Sequence, residues 1–362
     1  GNNITLFWAS ESVLLYWLFQ KSKIRIIEYA SLIVWCAMIL SLLMDWRNIY
    51  SDETSAITII ANKAFITGFY TAIASYVLFI LRNKQLPGGK DAIEKIISKN
   101  VFRVTGIVLL FLTGSLEVNY QFTYYFPRFA MNVLYLQLFS FAFLWLLLLI
   151  TDKIQTIKIP IRLQVILLAI GVLYYLVCLG TITDLQEHLL EAHQFTGYFN
   201  ACWITAILVG NFFYKLIQIE RNKNSITPAI SGLFVWLTCA GIIIFVSFEA
   251  FWTVNSLFYN DQNPPDEIQR VFIKTCLPVL WGISSFCFMW LGMKYKFKPL
   301  RIVSLVLFLV TLLKLFIFDI SNIPAAGKIA AFFCLGVLLL IVSFMYQRLK
   351  NIIILDEQNK SE

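Results

Sequence analysis

Residues 131–150 read Met-Asn-Val-Leu-Tyr-Leu-Gln-Leu-Phe-Ser-Phe-Ala-Phe-Leu-Trp-Leu-Leu-Leu-Leu-Ile, without a charged side chain. A helix of this length reaches about 30 Å, the thickness of the hydrocarbon core of a bilayer. Being apolar on every side, it offers no face to water, and it reads as a membrane span. The same ruler, carried outward in both directions, marks ten more candidates: 4–19, 26–46, 59–81, 101–120, 162–181, 197–217, 228–252, 271–292, 299–318 and 327–347. The first of these is short and carries Ser10, Glu11 and Ser12, which makes it the weakest span.

Composition agrees with that reading. Of 362 residues, 59% are hydrophobic and 14% charged, with 32 Phe, 16 Tyr and 10 Trp, against about 45–50% and about 25% in ordinary globular chains. Soluble enzyme folds and disordered scaffolds are excluded, and the expected class is an all-α polytopic integral membrane bundle of about eleven transmembrane helices. The net charge of +8 would suggest nucleic acid in a soluble protein, but here the basic residues sort by side of the membrane. Cys36, Cys178, Cys202, Cys239, Cys276, Cys287 and Cys334 all lie in apolar segments without CxxC spacing, so they read as packing residues rather than disulfides or zinc ligands. The chain begins with Gly1 rather than Met and shows no signal-peptide cleavage pattern, so its start reads as the cut end of a longer chain.

Of the 29 Lys and Arg, 22 fall on one side, among them Lys21, Lys23, Arg25, Arg82, Lys90, Lys95, Lys99, Arg103, Lys153, Arg221, Lys294 and Arg348. The positive-inside rule makes that side cytoplasmic, with the N-terminus outside and the C-terminus inside. The opposite loops carry acids instead: Asp45, Asp52, Glu53, Asp184, Glu187, Glu191, Asp261, Asp266, Glu267 and Asp319. Within Lys90–Arg103, Ile93, Ile96, Ile97 and Val101 share one helical face, as expected of an amphipathic helix lying on anionic headgroups.

Trp8, Ser12, Trp17, Leu18, Lys21 and Lys23 fall on Trp281, Ser285, Trp290, Leu291, Lys294 and Lys296 at one constant offset, with Trp145-Leu146 as a partial middle copy. The fourth helices of the first two units end in Ser115-Leu116-Glu117 and Ser247-Phe248-Glu249. The chain therefore reads as parallel four-helix repeats: 1–130 with four helices, 131–270 with four, a partial third over 271–350 with three, and a cytoplasmic tail over 351–362.

The run from Ser247-Phe248-Glu249 through Trp281, Leu291-Gly292, Leu300-Arg301, Leu313-Lys314-Leu315-Phe316-Ile317-Phe318-Asp319-Ile320 and Leu335-Gly336 to Tyr346-Gln347-Arg348-Leu349 resembles the end of a bacterial predicted-membrane-protein family, DUF2339. The resemblance is close over about the last hundred residues and looser before them. It implies a bacterial inner-membrane protein with more helices upstream, and it brings no catalytic residues.

Two acidic positions carry the candidate chemistry. Glu117 and Glu249 come at the outer ends of equivalent helices and precede aromatics, among them Tyr120 and Trp252. A carboxylate near hydrocarbon is costly unless paired or wet, so the pair reads either as interfacial caps or as an acid site for a cation, a proton or a sugar hydroxyl. Glu11 is a third candidate substrate-binding acid. Lys314 and Asp319 form a candidate ion-pair element; lying five apart, they point in different directions, so Lys314 calls for a partner on another helix, such as Glu11, Glu117 or Glu249. His188 and Glu191 are three apart but lack the spacing of known metal sites, so no metal is expected; the plainer reading is a short interfacial helix with Leu185, Leu189 and Leu190 toward the membrane. No Walker loop, Gly-x-Ser-x-Gly or nucleotide fingerprint occurs, and no cofactor is expected. The expected partners are membrane lipids and other envelope subunits, not nucleic acid. Three roles stay open: a transporter or binding subunit for an amphipathic envelope component (a lipid or lipid-linked sugar), a membrane-embedded glycan or lipid transferase, and a scaffold subunit of an envelope complex. Whether the chain is an enzyme is open with them.

Overall fold

The computed structural model describes residues 2–51, 56–83, 98–153, 159–193, 200–221, 228–260, 264–295 and 297–315, with isolated positions between 329 and 343. These residues form helices and no strand: α1 (Asn2–Ser22), α2 (Arg25–Tyr50), α3 (Lys63–Asn83), α4 (Lys99–Tyr125), α5 (Met131–Lys153), α6 (Ile161–Glu191), α7 (Asn200–Arg221), α8 (Pro228–Phe258), α9 (Pro265–Val271), α10 (Leu277–Lys294) and α11 (Lys298–Lys314). A π-helical turn, Phe272–Cys276, joins α9 to α10 into one rod. Among the described residues eight helices are long and apolar enough to cross a membrane: α2 to α8 and the rod Pro265–Lys294. The expected count of eleven is not reached. Neither α1 nor the described part of α11, 17 residues, is among the eight, and the candidate span 327–347 lies outside the described residues. So do most of Lys90–Arg103 and the tail 351–362.

The chain divides into two compact units, Gly1–Leu147 and Leu148–Glu362. In the first, α1 packs against both α2 and α3, and α3 against α4. Their shared core holds Ala9, Tyr16, Phe19, Trp35, Met38, Leu78, Phe79 and Phe102. Small residues spaced four apart on α3, Ala64-Gly68-Ala72 and Thr67-Thr71-Ser75, are buried and let α4 approach closely. Gly68 sits directly against Thr113, so an added Cβ would collide with its hydroxyl and methyl. Gly68→Ala should therefore destabilise the detergent-solubilised protein by about 1–3 kcal/mol, the range of overpacked sites, and Thr113→Ala should recover part of the loss in a thermal melt.

In the second unit α8 is the hub, touching α6, α7, α9, α10 and α11. Helix α6 is 31 residues long, about 46 Å at 1.5 Å per residue, and it runs through the histidine segment without a break. This corrects the expectation of a short interfacial helix there: Leu185, Leu189 and Leu190 are buried in protein. The lipid-type stripe of α6 is Ile166, Ile170, Leu173 and Val177, all exposed and three or four residues apart.

Two helical hairpins share a detail. In α1/α2 the Ser31 hydroxyl donates to the Ser12 carbonyl at 2.7 Å, and in α10/α11 the Ser285 hydroxyl donates to the Ser304 carbonyl at 2.8 Å. Ser12 and Ser285, and likewise Ser31 and Ser304, are separated by the same displacement that aligns the tryptophans.

Candidate functional site

The carboxylate of Glu117 is 4% exposed and lies eight residues before the end of α4, about 12 Å inside the helix end. Glu249 lies nine residues before the end of α8, about 13 Å inside. Both helices run on past the expected span ends, so neither acid sits at the end of its helix.

Four donors converge on Glu117. Oε2 accepts from the Tyr50 hydroxyl (2.8 Å) and the Asn62 amide (2.6 Å); Oε1 accepts from the Ile60 N–H (3.0 Å) and the Gln121 amide (2.9 Å). The surroundings fix each donor. Asn62 is the N-cap of α3: its Oδ1 accepts from the Phe65 N–H at 2.8 Å, which turns its NH2 toward Glu117. Gln121 stands one turn beyond Glu117 on α4, and its NH2 is shared with the Ile57 carbonyl at 3.2 Å. Ile60 has φ +61°, and the Ala61 N–H bonds back to the Ile59 carbonyl at 2.6 Å, closing the rare form of γ-turn about a β-branched residue. That strained turn aims the Ile60 N–H at the acid. Tyr120 is buried and packs its ring 5.5 Å from that of Tyr50, bracing the phenol that reaches Glu117.

Glu249 is half-buried and differently served. The Tyr175 hydroxyl of α6 donates to Oε1 at 2.8 Å, and among the described residues no second hydrogen bond reaches this carboxylate. Tyr175 is itself buried, edge-on to Phe245 and Trp252. Trp252 is 1% exposed; its indole N–H donates to Thr183 Oγ1 at 3.0 Å, and its carbonyl accepts from the Gln186 amide at 2.7 Å. Asn255 donates to Gln186 Oε1 at 3.4 Å. A polar seam thus runs along the α6/α8 contact, with Glu249 as its acidic member.

The other expected residues lie apart from these clusters. Glu11 is half-buried on α1, beside Ser10, whose hydroxyl is 2.8 Å from that of Tyr70. His188 Nδ1 is 4.0 Å from Glu191 Oε2, both well exposed. Asp319 lies outside the described residues. Lys314 Nζ donates to the Ile273 carbonyl in the π-turn at 2.7 Å, and the backbone explains why. Leu277 N–H closes a π-type bond to the Phe272 carbonyl; the next bond in that series, to Ile273, would need the N–H of residue 278, which is proline. Lys314 supplies the donor that Pro278 lacks.

Sequence reasoning missed Tyr50, Asn62, Ile60 and Gln121 around Glu117, and Tyr175, Thr183 and Gln186 around Glu249 and Trp252. Only Gln121 left a local signal, its four-residue spacing from Glu117 on one helix.

A family model described as a predicted membrane protein, DUF2339, matches residues 1–349, so the resemblance seen in the last third extends over nearly the whole chain. No curated protein and no solved structure matches.

Proposed function

Because the chain belongs to the DUF2339 family of predicted membrane proteins, we propose that it is a multi-pass protein of the bacterial inner membrane that binds or transports an amphipathic envelope component, a lipid or lipid-linked sugar, through Glu249. In this reading the basic side is cytoplasmic and the N-terminus lies outside. The helices form parallel repeats starting near residues 4, 131 and 271, which the matching serine pairs of the α1/α2 and α10/α11 hairpins support.

The observation that carries the functional reading is the contrast between the two acids. All the acceptor sites of Glu117 are taken by fixed donors, which suits a structural clasp. Glu249 keeps an oxygen without a donor among the described residues, on a side chain that is only half-buried. A partly open carboxylate with spare acceptor capacity suits a sugar hydroxyl or a cationic headgroup.

The test is native mass spectrometry of the full chain, extracted from its own membranes in lipid nanodiscs. Wild type should carry a discrete amphipathic ligand above the bulk lipid, and Glu249→Ala and Tyr175→Phe should lose at least tenfold of it. An unchanged ligand complement in Glu249→Ala, or bulk lipid alone on the wild type, would sink the reading.

A further inference from the structure

We propose that Arg82 and Arg103 form a binding site for a phosphate group, at the end of the α3/α4 pair remote from Glu117. The site lies within Gly1–Leu147 and does not rest on the reading of Glu249. Arg82 is in the last turn of α3 and 5% exposed. Its guanidinium carbon stands 5.5 Å over the ring of Phe102, and the guanidinium of Arg103 stands 5.4 Å over the ring of Phe79. The two arginines therefore cross between the helices, each lying on the other helix's phenylalanine. Trp35 packs edge-on against Phe102, with ring centroids 4.8 Å apart.

What makes this a site is the state of Arg82. Its Nη2 is buried and meets no hydrogen-bond acceptor among the described residues, and no carboxylate there forms an ion pair with it. An aromatic face attracts a cation but accepts none of its N–H bonds fully, and the one buried carboxylate at this end among the described residues, Glu28 of α2, forms no ion pair with Arg82, so the guanidinium still wants an acceptor. A buried guanidinium left in that state is expensive, and arginine stays charged at any accessible pH. The missing group is an anion with several acceptor oxygens, and a guanidinium fork fits phosphate in two-point geometry. Arg103 is half-buried on the adjoining helix and brings a second positive charge to the same end. Phosphate in a membrane comes from a phospholipid headgroup or from free phosphate, and the chemistry of recognition is shared.

The experiment is thermal unfolding of the full chain under three conditions: in vesicles of phosphate-free glycolipid, in the same vesicles containing phosphatidylglycerol, and in maltoside micelles titrated with inorganic phosphate. Wild type should melt several degrees higher with phosphatidylglycerol, and Arg82→Gln should abolish that shift. Arg103→Gln, at a less buried position, should lose about half of it. A rise with inorganic phosphate in micelles as well would identify free phosphate as a source; a rise with phosphatidylglycerol alone would identify the headgroup. Without phosphate the sign inverts: Arg82→Gln removes an uncompensated charge and should melt no lower than wild type. Equal melting of wild type in all conditions, retention of the full shift by Arg82→Gln, or a lower melting temperature of that variant without phosphate would each overturn the proposal.

Discussion

Lys314→Met should destabilise the second unit, and Pro278→Ala should remove most of that penalty. Losing the ammonium leaves the Ile273 carbonyl without a donor, because Pro278 has no N–H to give it. A hydrogen bond from a charged group contributes about 1.5–3 kcal/mol, and because this one is exposed the lower end of that range is expected. With alanine at 278 the backbone regains an N–H, so Lys314→Met in that background should cost about 1 kcal/mol less or better. The measurement is a double-mutant cycle read by denaturant or thermal unfolding in micelles. Equal penalties in the two backgrounds would show that Lys314 acts elsewhere.

Glu117→Gln should cost at least half as much stability as Glu117→Ala, against the usual expectation that the amide is the gentle change. Glutamine has one accepting oxygen and one NH2, while four donors point at this carboxylate. The Tyr50 hydroxyl can turn and accept. The Asn62 NH2 cannot, because the Phe65 N–H holds its oxygen. The Ile60 N–H is equally fixed, whereas the Gln121 amide, whose Oε1 has no partner among the described residues, can flip only by giving up its 3.2 Å bond to the Ile57 carbonyl. Removing the carboxylate should cost about 3–5 kcal/mol, as for other buried charged networks, and the amide at least half of that. Glu249→Gln keeps its bond to Tyr175 and should stay within about 1 kcal/mol of wild type. Membrane levels and unfolding of the three variants decide the matter, and a stable Glu117→Gln protein would show that the clasp is loose.

That asymmetry between the acids was not legible in the sequence, which placed Glu117 and Glu249 at matching positions. The uncharged run 131–150 was legible because lipid imposes its demand on every residue of a span, and α5 follows it closely. The ends of α6 and α8 were not: α6 continues past the apolar ruler on a face buried by protein, and α8 continues to Phe258 with Asn255 buried. The donors around Glu117 come from α2, the loop before α3 and α4 itself, so only the folded chain brings them together. The strained turn at Ile60 leaves no compositional trace, since isoleucine is the residue least expected at positive φ. Pro278 was visible as a proline, but its effect depends on the π register of the preceding turn, which no spacing rule reports.

The α1/α2 hairpin bears on how the chain enters the bilayer. Thr5 donates to Asp45 Oδ2 at 2.5 Å, and since that uses its only proton, Ser41, 2.6 Å away, must donate to Thr5. Asp45 is 3% exposed on a helix that is otherwise a strong insertion signal. A lone α2 would carry this carboxylate into the membrane with no donor from α1, whereas α1 by itself is too polar to be a confident span. Only Lys23 and Ile24 separate the two helices, with Lys23 in the left-handed conformation that turns the chain back. Each helix thus supplies what the other lacks: α2 the apolar length, and α1 the hydroxyl that satisfies the buried Asp45.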